Sequence, residues 1–230
     1  MSSRWSEAAD ADTDVRALTA LLREQWGVLR ERLQHKQLLG GELPTLTLRI
    51  PGSAAMWHGS TRAAEPELVD SVCAPQGQAL PPAAAAAVLA RRTDVCAVLH
   101  GGGVFGQLLA ASQPADRPMP LVFDEQVRHL GRMPATRGRD WAAGLGLGGN
   151  VLLLDGQPLV LGMTAQRLAL NAELFEKCAK AYVLAAATGG RIRPLPWIVR
   201  HVANGRLMKD EARARARVTA GLLPLESQGY

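Results

Sequence analysis

"CAVLHGGGVFGQLLAAS" (residues 96–112) is the stretch on which the reading of this chain turns. Cys96–Leu99 is a short apolar run of strand character that delivers one histidine, His100. Gly101, Gly102 and Gly103 follow, and "VFGQLLAASQ" then reads as a helix. Histidine at the end of a buried strand is a common way to present a metal ligand. A ligand histidine needs companions, however, and glycine has no side chain to coordinate with. The three glycines are expected to leave space, to admit close backbone approach to a ligand, and to expose N–H groups that bind an anion.

Upstream, Val15, Leu18, Leu22, Trp26, Leu29 and Leu33 recur at three- and four-residue steps, which predicts an amphipathic helix from Asp12 to His35. Gly40, Gly41 and Pro44 break it. "TLTLRI" (45–50) alternates polar and apolar residues as a half-buried strand, and "SAAMWHGS" (53–60) fits as its hairpin partner. "EPELVDSVCAPQGQALPP" (65–82) reads as a short helix or turn and then a loop. Pro81-Pro82 opens a helix continued by "AAAAAVLARR" (83–92).

Downstream, "RPMPLVF" (117–123) is expected to be a strand, and "DEQVRHLG" a short helix ended by Gly131. "NVLLLDGQPLVLG" (150–162) is two apolar runs joined by an Asp155-Gly156 turn, a hairpin. Thr164 is the expected N-cap of a long helix that buries Leu168, Ala172, Phe175, Ala179 and Tyr182 and ends at Gly189-Gly190. The order has no regular βαβα alternation and no internal repeat. It predicts an α/β domain with a central, mostly antiparallel or mixed sheet covered by helices. Residues 1–12 are expected as a flexible tail, 13–222 as the single domain and 223–230 as a C-terminal tail.

The chain has 230 residues, 47% hydrophobic and 20% charged, which suits one globular domain. No apolar run approaches the ~20 residues of a membrane span, and the N-terminus carries no secretory pattern. The expectation is a cytoplasmic protein without a membrane partner. Cys73, Cys96 and Cys178 are odd in number and widely spaced, and read as buried free thiols. The net charge is +5, with much of the excess in "RIRPLPWIVRHVANGRLMKDEARARARVTA". Few aromatics interleave with these charges and acids interrupt them, so nucleic acid is not the expected partner; a solvated helix face or an oligomer contact is.

The order of these pieces resembles the class II aldolase/adducin family over residues 14–222. The residues that carry the resemblance are "TLTLR" (45–49), "ARRTDVCAVLH" (90–100), "VFDEQVRHLG" (122–131) and the hairpin plus long helix from Val151 to Gly190. The resemblance implies a class II aldolase/adducin-like fold, a homo-oligomer of tetramer type, and a small-molecule substrate. Enzymes of the family hold a divalent metal, usually zinc, on a His-x-His pair and a His-Gly, with an upstream glutamate as acid/base. The metal polarises a carbonyl or enediolate oxygen.

Position by position, His100 matches the first histidine, Gly102 the second, and Gly156 or Gln157 the third. The glutamate falls near Pro81, Pro82 or Ala83. Thr45 and Thr47 replace the polar pair of the first strand, and Ala79 and Leu80 stand where a serine pair is usual. One ligand of three is left, so no cofactor is expected, and a divalent metal such as zinc enters only if a site has been rebuilt around His100.

The candidate catalytic residues are His100, Asp124, Glu125 and His129. The candidate substrate-binding residues are Thr45, Thr47, Gly101 and Gly102. Glu125 and His129 are four apart, so on a helix they share a face, and with His100 they would make a two-histidine, one-carboxylate set. The plainer alternative for His100 is a satisfied core histidine retained for packing, and His58 and His201 read as surface or packing residues. "GLGLGGN" precedes a strand instead of following one, and "GGGVFG" lacks the P-loop lysine, so neither reads as a nucleotide site. Two functions remain. One is a divergent enzyme acting on a small hydroxy- or keto-acid or sugar-like substrate by lyase, decarboxylase or isomerase chemistry. The other is a non-catalytic, adducin-like scaffold or partner subunit.

Overall fold

The computed structural model describes residues 3–71, 82–112, 119–134, 136 and 141–226, with only the backbone path over 3–14 and 143–144. The elements are α1 (Ser3–His35), β1 (Gly40–Arg49), β2 (Ala55–Ser60), β3 (Glu67–Asp70), α2 (Ala83–Arg91), β4 (Ala97–Gly102), α3 (Val104–Ser112), β5 (Val151–Leu154), β6 (Gln157–Gly162), α4 (Ala165–Ala187) and α5 (Trp197–Thr219). The strands form one sheet in the order β3-β2-β1-β4-β6-β5. Every neighbouring pair is antiparallel.

Period-two alternation divides this sheet between two cores. Leu46, Leu48, Leu99 and Val160 face α1, α3 and α4. Met56, Val98, Leu152 and Leu161 face α2 and Trp141. Trp26 of α1 is fully buried, and its indole N–H donates to the carbonyl of Leu46 at 2.9 Å, so the largest core side chain leaves no unpaired donor. Thr164 caps α4 as expected, accepting the N–H of Arg167 at 3.0 Å, and such a cap is worth about 1 kcal/mol. The Asp155-Gly156 hairpin has both turn residues at positive φ (49° and 75°), the type I′ geometry that matches strand twist.

Four expectations are corrected. Helix α1 starts at Ser3, not Asp12; Ala8, Ala9 and Ala11 are good helix formers that carry it further back. Met119–Phe123 is not a strand. Pro120 has no N–H to give a ladder, and the neighbouring backbone is satisfied otherwise: Gln126 bonds Val122 N and Pro120 O with its side chain, and Leu195 N donates to Leu121 O. Glu67–Asp70, read as helix or turn, pairs with β2 as an edge strand, and the rest of that loop lies outside the described residues. Leu223 and Glu226, read as tail, are held: Arg217 donates to the Leu223 carbonyl at 2.6 Å and Arg167 pairs with Glu226 at 3.1 Å.

A buried polar clasp joins three elements. Arg92, at the end of α2, bonds Asp94 through two nitrogens (2.9 and 2.7 Å), Asn150 Oδ1 at 3.0 Å, Glu211 of α5 at 3.1 Å, and the carbonyls of Gly146 and Gly149. Glu211 also accepts the N–H of Gly148 at 2.6 Å. One buried cation thus serves two carboxylates, and burial pushes the Glu211 carboxyl up against the opposing pull of Arg92.

Candidate functional site

The α2 face of the sheet is apolar at one end and polar at the other. Register sets Thr45 against His100 and Thr47 against His58, so the four side chains share a face across β2, β1 and β4. Thr45, Thr47 and His100 are buried. The His100 Nδ1–H donates to the Leu43 carbonyl at 3.3 Å. That contact selects the tautomer and leaves Nε2 as the acceptor nitrogen, unbonded among the described residues. Burial lowers the His100 pKa against the opposing pull of the Leu43 bond and Asp155. His58 Nδ1 lies 2.7 Å from the Thr47 hydroxyl, and its pKa is pushed down to about 4, by burial first and by the proximity of His100 second. Both rings are neutral near pH 7, the state in which imidazole accepts a proton.

The glycines after His100 do not leave the expected space. A Cβ on Gly101 (φ 127°) would stand 2.7 Å from the Gly40 carbonyl oxygen, one on Gly102 3.1 Å from Pro158, and one on Gly103 2.4 Å from the Glu176 carboxyl carbon. They are close-approach positions. Just beyond the glycines, the N–H groups at the start of α3 are filled from within: Glu176 of α4 accepts from Phe105 N and Gly106 N, both at 2.8 Å.

Asp124, Glu125 and His129 are not brought to His100. Glu125 pairs with Lys177 of α4 at 2.8 Å, and Asp124 is exposed. His129 Nδ1 accepts from Arg167 at 2.8 Å, near the start of α4, which packs on the face of the sheet opposite His100. Its pKa is lowered to about 4 by burial, then by Arg167 and Arg128. The segment Gln126–Leu130 is wound as a π-helix, so a four-residue step no longer stacks two side chains.

The donor set does not fit the family's metal. His100 is the one imidazole at the matching positions. Gly102 presses on Pro158, Gly156 sits at the open tip of a hairpin, and the Gln157 amide oxygen is turned toward Gly41. Among the described residues no three His, Cys, Asp or Glu side chains converge. Cys96 and Cys178 are buried thiols pushed up to about 12 by burial, and so are not thiolate donors; Cys73 lies outside the described residues, as do Ala79, Leu80 and Pro81. Pro82 and Ala83, at the start of α2, offer no carboxylate.

Sequence reasoning missed two of these side chains. His58 falls on the polar face by its alternation with Met56 and Ser60, a signal present in the sequence once β2 is paired. Glu176 sits on a helix among other charged residues, and nothing local distinguishes it. Two open clefts, of 620 and 770 Å³, flank α1 and are lined by neither His58 nor His100.

No protein-family model matches the sequence, and no curated protein matches it. Solved structures do. YgbL of Klebsiella pneumoniae, described as a candidate aldolase/epimerase/decarboxylase, superposes at TM-score 0.63 with 18% identity over 80% of this chain and 98% of that one. The L-fuculose 1-phosphate aldolase of Glaciozyma antarctica PI12 gives 0.65 with 16% identity over 90% of each chain. An aldolase II superfamily protein of Pseudomonas syringae gives 0.60 with 16% identity, over 88% of this chain and 93% of that one. The all-antiparallel six-stranded sheet, covered by α1, α3 and α4 on one side and α2 on the other, is the fold this chain shares with these solved structures.

Proposed function

We propose that the chain binds a small hydroxy- or keto-acid or sugar-like compound at the polar end of its sheet, and that His100 moves a proton there without the family's three-histidine zinc site. One observation carries this reading. His100 is held by the Leu43 carbonyl with Nε2 unbonded among the described residues, beside two threonine hydroxyls and a second neutral histidine, His58. A buried residue kept only for packing needs no such polar company. Proton transfer of this kind serves carbon–carbon cleavage, decarboxylation or isomerisation next to a carbonyl. Thr45 and Thr47 supply hydroxyls that orient a polar ligand, and Gly101 and Gly102 bring backbone to the edge of the site. The reading includes a cytoplasmic location and self-association of tetramer type. No helix among the described residues is long and apolar enough to cross a membrane.

A second reading is favoured by a different observation. The glycine turn is closed by Gly40 and Pro158, and the α3 N-terminus by Glu176. That self-filled end suits an adducin-like scaffold, in which the fold persists without turnover.

The test is a thermal-shift and calorimetric screen of small hydroxy- and keto-acids and sugars, on untagged wild type and His100→Ala, with elemental analysis of both. A ligand that binds wild type and loses about tenfold or more in affinity on His100→Ala supports the site. Binding insensitive to His100, or none across the screen, favours the scaffold. Near one metal per chain, lost on His100→Ala, would overturn the metal-free reading.

A further inference from the structure

The 620 Å³ cleft lies between α1, the start of α4 and the segment that follows α5. Its volume is that of a small-molecule site, on the order of 300–1,000 Å³. Leu22, Leu29, Leu48 and Ala169 are buried in the fold and still line it. Leu48 belongs to the core shared with α1, α3 and α4, so the cleft opens on the face of the sheet opposite His100.

One wall of this apolar cleft already holds a carboxylate. Glu226 lines it beside Thr164. Glu226 Oε2 accepts from Arg167 Nε at 3.3 Å and from Arg167 Nη2 at 3.1 Å, and its Oε1 accepts from the Thr164 hydroxyl. Arg167 Nη1 donates to His129 Nδ1 at 2.8 Å, which fixes the plane of the guanidinium. Arg167 is only 6% exposed, so its charge needs an anion, and a carboxylate across two of its nitrogens is the strong form of that pairing.

The holder and the occupant come from different kinds of structure. Thr164 and Arg167 open a 23-residue helix, and His129 stands on the π-helical turn packed beside it. Glu226 ends a stretch, Leu222–Glu226, with neither helix nor strand, tied at its base where Arg217 donates to the Leu223 carbonyl. A carboxylate brought by another molecule can make the same three bonds. A dianion suits the cleft less well: Glu24 adds negative charge at the α1 edge, and Arg32 is taken by Glu173.

We propose that this cleft binds a monocarboxylic acid with an apolar body, of the kind of a medium-chain fatty acid. The acid's carboxylate replaces that of Glu226 on Arg167 and Thr164, and its chain lies among Leu22, Leu29, Leu48 and Ala169. Glu226 is then a resident competitor, and the segment that carries it is a strap that yields when the acid enters. Wild-type affinity is reduced by the fraction of molecules in which Glu226 holds the site. The inference adds a site to the one proposed above and does not depend on it.

The experiment is isothermal titration of octanoate, octanol and acetate into wild type, Glu226→Ala, Arg167→Gln and His100→Ala, each checked for folding by circular dichroism. Octanoate is expected to bind Glu226→Ala about tenfold or more tightly than wild type, because the competing carboxylate is gone. Octanol, the chain without the charge, and acetate, the charge without the chain, are each expected to bind at least about tenfold more weakly than octanoate. Arg167→Gln is expected to weaken octanoate binding and His100→Ala to leave it unchanged. The gain on Glu226→Ala separates the proposal from damage to the fold, since a loosened apolar surface would raise octanol binding equally. No octanoate binding to Glu226→Ala, an affinity that Glu226→Ala leaves unchanged, or octanol bound as tightly as octanoate each overturns the proposal. Octanoate binding lost on His100→Ala overturns it too, and assigns the acid to the site around His100.

Discussion

His58 and His100 stand on one face of the sheet with the strand carrying Thr45 and Thr47 between them, and each ring is neutral because burial penalises its charge. For His58 this has a consequence for stability. Its folded value, about 4, lies below the ordinary 6.5 of the unfolded chain. As pH falls through 6.5 the unfolded chain takes up the proton first, so stability drops between pH 6.5 and about 4 and then levels, by up to roughly 3 kcal/mol. Urea midpoints measured across that range should fall in wild type and fall less in His58→Asn; equal slopes would assign the acid limb to other groups. Glu176 makes a second prediction. It supplies both a charge and two acceptors to the N-terminus of α3, so Glu176→Gln should cost about 1 kcal/mol. An unchanged urea midpoint would mean that those N–H groups are satisfied without it. Position 58 was legible once β2 was read as a strand, since alternation alone puts it beside Thr47. Glu176 was not, because its partners are about seventy residues away and only the packing of α4 on α3 brings them together.

At the scale of elements, the apolar periodicities of α1 and α4 and the Asp-Gly hairpin of β5 and β6 were readable because each depends on local repetition. The segment Met119–Phe123 was not. It has the residues of a strand, but its backbone bonds are made by Gln126 and by Leu195, and no local pattern announces that. The Arg92 clasp is a second case. Arg92 and Asp94 are two residues apart in sequence, yet Asn150 and Glu211, which complete the network, come from a loop and a helix far along the chain. Removing the cation leaves two carboxylates buried without it. Arg92→Ala is expected to destabilise the fold by about 3–5 kcal/mol, read as a shift in denaturant midpoint. A far smaller loss would mean that Asp94 and Glu211 are relieved by protonation or by water.

For the whole molecule, one antiparallel sheet separates two cores, and the candidate site lies on the α2 side of it. The sequence by itself determined the class of architecture: most strand and helix positions, the Thr164 cap and the Asp155-Gly156 turn, the single histidine of β4, and the absence of imidazoles at the positions corresponding to its metal-binding companions. These follow from local periodicity and from the identity of single residues. Only the tertiary structure decided what the glycine turn is for, that His58 joins His100 while Asp124, Glu125 and His129 do not, and that Glu176 occupies the α3 N-terminus. Each of those is a matter of which side chains a sheet and its covering helices bring within a few ångströms, and chain separation carries no record of that.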